Sequence, residues 1–132
     1  MSRPRVVLSW SSGKDSAWTL HRLRQDPGIE VAALVTTVNA EFNRVAMHAV
    51  RQDLLHAQAE AAGLPLIEVP IPYPCSNAEY ESRMRALTER LRGERIERMA
   101  FGDLYLADIR AYREQQLQGT GIAPLFPLWN EP

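Results

Sequence analysis

The sequence predicts an α/β fold of three layers, a parallel five-stranded sheet of order 3-2-1-4-5 covered by helices on both faces. Three observations predict it. Short β-branched and apolar runs alternate with helix-periodic segments, the connections between them are short, and prolines fall inside the third and fifth apolar runs. Alternation with short links calls for right-handed crossovers between parallel strands. A proline removes one ladder donor, so the third and fifth strands belong at the two edges. Strands 1 and 4 then lie side by side where the winding reverses, and ligands of such sheets bind beyond the carboxyl ends of the strands at that point.

Each element has a local reason. Val6 to Trp10 is a short apolar run, after which Ala17, Leu20 and Leu23 recur at helical spacing until Pro27-Gly28. Val31 to Val38 is a continuous run suited to a strand covered on both faces. Met47, Val50, Leu54, Ala57 and Ala61 make a second helical stripe, closed by Gly63 and Pro65, and Leu66 to Ile71 is the third strand, with Pro70 inside it. Ser76 and Glu79 have capping-box spacing ahead of a stripe of Tyr80, Met84, Leu87 and Leu91 that ends at Gly93. Arg98 to Leu104 is the expected fourth strand. A helix from about Asp108 to Gln118 follows, carrying Ile109, Tyr112 and Leu117, with Gly119 beyond its end. In the closing stretch, Ile122 to Trp129, Pro124 and Pro127 leave room only for a short fifth strand.

Composition narrows the function classes. A chain of 132 residues, 45% hydrophobic and 23% charged, has the length and make-up of one globular domain. The formal net charge of -1 gives no general attraction to nucleic acid or anionic membrane, so any anion site is local. No apolar run approaches the roughly 18 residues of a membrane span, and there is no secretory leader, so a cytoplasmic protein without membrane contact is expected. Cys75 is the single cysteine, which excludes an internal disulfide and a cysteine-based zinc site within one chain. It reads as a partly buried thiol, having no basic neighbour to activate it.

The local anion site is Ser11-Ser12-Gly13-Lys14-Asp15-Ser16, set between the first strand and the first helix. Lys14 is the only lysine; every other basic residue is arginine. Backbone N–H groups and the positive end of a helix dipole attract an anion there, and a lysine adds a compact charge. The spacing rejects a Walker A loop, because Leu8 stands where its first glycine belongs and Asp15 where its serine or threonine belongs. A dinucleotide fingerprint fails too, since Gly119-Thr120-Gly121 meets Pro124 at the third glycine position.

What remains resembles the pyrophosphate-binding loop of the N-type ATP pyrophosphatases, usually Ser-Gly-Gly-Lys-Asp-Ser. Ser12 stands where glycine is usual, bringing either strain, if the backbone there needs positive φ, or an extra hydroxyl facing phosphate. Further pieces are Met47-His48-x-Val50-Arg51, Gln58-Ala59, Gly63-Leu64-Pro65-Leu66, Phe101-Gly102-Asp103, Arg113-Glu114 and Pro127-Leu128-Trp129. Together they look like the diphthine-ammonia ligase family, with the adenine nucleotide alpha hydrolase-like fold, from about Val6 onward. That family usually continues past Pro-Leu-Trp into a half that helps form the acceptor site. The chain is thus expected to be the nucleotide-binding half without its acceptor half. Leu125, Phe126, Leu128 and Trp129 would then lack part of their cover, and self-association into a homo-oligomer would follow.

The resemblance implies that ATP is cleaved between its α and β phosphates, that an acyl acceptor is adenylated, and that ammonia displaces AMP to leave an amide. It makes Ser11, Ser12, Gly13, Lys14, Asp15 and Ser16 the phosphate-binding residues, with Lys14 and Asp15 catalytic. It sets adenine against Val35, Thr36 and Thr37 at the end of the second strand. Asp15 and Asp103, the latter following Gly102 at a strand end, are oxygen ligands suited to Mg2+ alongside ATP phosphates, though Asp15 equally suits a helix N-cap. His48, at a helix start near the same crevice, is either a site residue or structural. Arg110 and Arg113 either meet phosphate or acceptor or form surface salt bridges. Two other functions stay open: a tRNA- or metabolite-modifying member of the superfamily, and a sensor that binds adenine nucleotide without turnover. The alternation of arginine and glutamate from Arg83 to Arg98 looks like a solvated helix face, which counts against nucleic acid.

Overall fold

The computed structural model describes residues 4–10, 14–39, 46–71, 76–103 and 106–129, without the side chains of 39 and 46–51. The elements run β1 (Arg5–Ser9), α1 (Lys14–Arg24), β2 (Glu30–Asn39), α2 (Ala46–Ala62), β3 (Leu66–Ile71), α3 (Asn77–Gly93), β4 (Ile96–Ala100), α4 (Ala107–Leu117) and β5 (Ala123–Leu125). The five strands are all parallel in the order β3-β2-β1-β4-β5, as the edge prolines require. Pro70 lies opposite Val38 on one edge strand and Pro124 opposite Met99 on the other.

Alternation along β1 divides the core in two. Val6 and Leu8 point to one face, where they pack with Leu20 and Leu23 of α1, Leu55 and Ala59 of α2, and Leu34 and Ala100. Val7 points to the other and packs with Leu87 and Leu91 of α3, Leu117 of α4, and Val35, Ile67 and Met99. The chain moves outward from β1 to β3 with α1 and α2 on one face, then returns through α3 to β4 and on through α4 on the other. With every crossover of the same hand, the reversal has to fall between β1 and β4.

Helix ends follow their local chemistry. Ser76 caps α3, its Oγ accepting from the Glu79 N–H at 3.1 Å, as the capping-box spacing predicts. α2 closes on Gly63, whose φ of +72° suits a residue without Cβ. α3 ends at Gly93 as expected, but the left-handed position falls on Arg95, φ +62°.

Four expectations need correction. β4 spans Ile96–Ala100 rather than Arg98 to Leu104: exposed Glu97 and Arg98 interrupt the apolar signal that Ile96 begins, and Phe101 to Asp103 lie past the strand. In α2, Leu54, Ala57 and Ala61 are exposed, and the inward line is Leu55 and Ala59 with Ala62 packed against them. An alanine-rich helix carries several stripes of equal period, and contact with the sheet selects among them. In α1, Ala17 is exposed, while Ser16 and Thr19 join Leu20 and Leu23 inside. In α4, Ile109 and Tyr112 face outward and only Leu117 is buried. Met47 and Val50 have side chains outside the described residues, and Cys75 lies wholly outside them.

Candidate functional site

The carboxyl ends of β1, β2 and β4 open onto a cleft of about 230 Å³, walled by α3 and α4. Ser9 and Trp10 supply its β1 side, Val35, Thr36 and Thr37 its β2 side, and Met99 and Phe101 its β4 side. Val35 and Thr36 are buried while Thr37 is exposed, so the predicted adenine segment runs from the core to the surface along this cleft. Trp10 is held by two bonds, its backbone N–H to the Val35 carbonyl at 2.7 Å and its Nε1 to Gln58 Oε1 at 2.8 Å. The chain therefore stays against β2 for one residue after β1 ends, and then enters the loop.

Of the predicted phosphate loop, Ser11, Ser12 and Gly13 lie outside the described residues. Lys14 is the first residue of α1 and is exposed, Asp15 is half-buried in the first turn, and Ser16 is buried. The start of α1, where its amide dipoles leave positive charge, thus stands at the β1–β4 reversal. His48 is placed on the first turns of α2, with its side chain outside the described residues.

Gly102 brings the two halves of the site together. A methyl group there would lie 3.1 Å from Thr19 Oγ1 and 3.2 Å from the Asp15 carbonyl oxygen, close enough that these neighbours would have to give by a few tenths of an ångström. Thr19, fully buried, donates its hydroxyl proton to that same Asp15 carbonyl at 2.6 Å. Missing its Cβ, Gly102 lets the end of β4 rest on the first turn of α1. Asp15 and Asp103 therefore flank one backbone contact.

Asp103 does not stand alone. Arg113 Nε donates to its Oδ2 at 2.8 Å, and both side chains are partly shielded from water. The Arg113 guanidinium also lies over the Phe101 ring, 4.5 Å from its centroid. Phe101 stacks on Phe126, whose ring meets Trp129 edge-on. Arg110 lies over both Phe126 and Trp129, at 4.5 and 4.8 Å, and reaches Glu114 at 3.8 Å. These contacts partly cover the closing segment. Leu128, expected to lack cover, is fully buried, and Leu125, Phe126 and Trp129 are half-buried.

Sequence reasoning passed over Trp10, Tyr80, Met84 and Gln116 as lining residues, and the inward turn of Arg113. Trp10, directly before the loop, was the one with a positional signal. A larger groove of about 590 Å³ between α3 and α4 shares Met84, Gln116 and Leu117 with the cleft but reaches none of the strand ends. Among the described residues no three acidic, histidine or cysteine side chains gather as a metal cluster, and no helix is long and apolar enough to cross a membrane.

The comparison with curated proteins gives no match. The family model for the diphthamide synthase N-terminal domain matches residues 4–124, nearly the whole chain and every strand-end residue described above. By that match the chain belongs to the diphthamide synthase N-terminal domain family, a PP-loop ATP pyrophosphatase family.

Proposed function

We propose that the chain binds ATP across the carboxyl ends of β1, β2 and β4 and cleaves it between the α and β phosphates, adenylating an acyl acceptor for amide formation. The observation that carries this is the start of α1, with exposed Lys14, at the β1–β4 reversal beside the cleft. Adenine would lie along Val35 to Thr37, with His48 near the same crevice, and the triphosphate would run toward the loop at residues 11–16.

In the first step an acceptor carboxylate oxygen bonds to the α phosphorus as the bond from that phosphorus to the α–β bridging oxygen breaks, and pyrophosphate leaves with the electron pair. Negative charge grows on the departing group. Donors fixed around it, Lys14, the Ser11, Ser12 and Ser16 hydroxyls and N–H groups near Gly13, stabilise the transition state more than bound ATP. In the second step the ammonia nitrogen bonds to the acyl carbon, AMP leaves, and the surplus proton passes to solvent.

Magnesium takes one or two carboxylates with substrate phosphates, and Asp15 and Asp103, flanking the Gly102 contact, fit that demand. Bound there, the ion would neutralise charge on the phosphate oxygens. The test is pyrophosphate release from ATP and magnesium, with ammonia and a panel of carboxylic acids. Acceptor-dependent pyrophosphate and AMP are expected. Binding of ATP with no release under any condition would leave a nucleotide sensor instead.

A further inference from the structure

We infer that Arg113 is the cation for the α phosphate, the end of the nucleotide that remains as AMP, and that Asp103 is its positioning residue; this rests on the ATP site proposed above. Of the apolar residues of α4, Ile109 and Tyr112 are exposed and only Leu117 is buried, while Arg113 and Gln116 join Leu117 in lining the cleft. On this line of the helix a guanidinium stands one turn before buried Leu117, at a position where an apolar residue would ordinarily be expected.

That charge is aimed. Asp103 holds Arg113 through Nε, and the Phe101 ring supports the guanidinium plane from below. Among the described residues Nη1 and Nη2 make no hydrogen bond, so the outer edge of the fork is left for a ligand. A planar fork matches two phosphate oxygens at once, which a lysine cannot do. The same cleft carries Val35, Thr36 and Thr37, so an anion at this edge sits next to the nucleoside. Lys14 is not among the cleft-lining residues, and its helix packs on the opposite face of the sheet. The two cations thereby divide the triphosphate: Lys14 serves the pyrophosphate that leaves, Arg113 the phosphate that stays. Asp103 accepts from Arg113 through Oδ2, and the same carboxylate would still be able to hold magnesium.

The experiment measures ATP and AMP affinity, each with magnesium and with EDTA, for the wild type, Lys14→Ala, Arg113→Gln, Arg113→Lys and Asp103→Asn, alongside thermal melting. Arg113→Gln should weaken AMP and ATP together by roughly tenfold or more, leaving their ratio unchanged. Arg113→Lys should recover only part of the loss. Lys14→Ala should weaken ATP and spare AMP. Asp103→Asn should weaken AMP even in EDTA, an effect that a metal ligand alone does not produce. If Arg113→Gln fails to melt cooperatively, Arg113→Lys, which keeps a charge beside Asp103, decides on the same readout. Wild-type AMP affinity in a folded Arg113 variant, or a loss confined to ATP, overturns the assignment. A wild type that binds neither nucleotide overturns the ATP site itself.

Discussion

The β1–α1 and β4–α4 junctions meet at one place in the sheet and are built from different material. At the first, a helix starts at an exposed lysine, and Ser16 and Thr19 behind it are buried. At the second, the cation is a guanidinium pinned by a carboxylate and an aromatic ring, and α4 begins at Leu106 without a side-chain cap. The first site, as proposed, is local: six consecutive residues would carry it. The second is assembled from Phe101, Asp103 and Arg113, with Phe126 and Trp129 behind, and exists only once the chain has folded.

The comparison predicts different failures. Lys14→Ala removes a charge from an exposed position, so stability should hold while pyrophosphate release falls by roughly 10²–10³-fold, the scale seen when one fixed donor to a developing anion is lost. Melting and a steady-state pyrophosphate assay on the same preparation check it. Wild-type turnover would mean that the lysine is incidental and the junctions are not functionally distinct.

Gly102→Ala strikes where the two junctions touch. Its methyl group would press on the Asp15 carbonyl and Thr19 Oγ1, and overpacking of this kind costs about 1–3 kcal/mol. Urea unfolding should show that loss together with weaker ATP binding. An unchanged midpoint would separate the end of β4 from α1. Thr19→Val is gentler: shape is kept, but the bond to the Asp15 carbonyl goes, at a cost of about 1 kcal/mol by the same measurement.

The two junctions were unequally legible in the sequence, and the reason is physical. The strand order could be inferred because Pro70 and Pro124 each delete a ladder donor whatever their surroundings, and the α3 start because Ser76 and Glu79 interact over three residues. Position Lys14 was legible for the same reason: strand, turn and helix start are contiguous. The inward faces of α2 and α4 were not. Leu54 and Leu55 are adjacent leucines, and only contact with β2 and β3 decides which is buried. Arg113 lies on the helical line of Ile109 and Leu117, so the period marks its side of α4, but Phe101 and Asp103, which receive the charge there, lie ten or more residues away and no local period encodes them.

The smallest expected effect tests that last point directly. If helical period governed α4, Ile109 would be a core residue and Ile109→Ser would cost about 1.5–3 kcal/mol of lost burial. In the fold observed, Ile109 is 38% exposed, one turn before Arg113 on the same line of the helix but outside the residues that line the cleft, so the substitution should cost about 1 kcal/mol or less and leave AMP affinity unchanged. A denaturant midpoint and an AMP titration decide between the two. A loss of core size would mean that the first turn of α4 lies deeper than the exposure of Ile109 shows, and Arg113, one turn further along the same line of the helix, would lie deeper with it, leaving Lys14 as the cation facing the nucleotide from these two junctions.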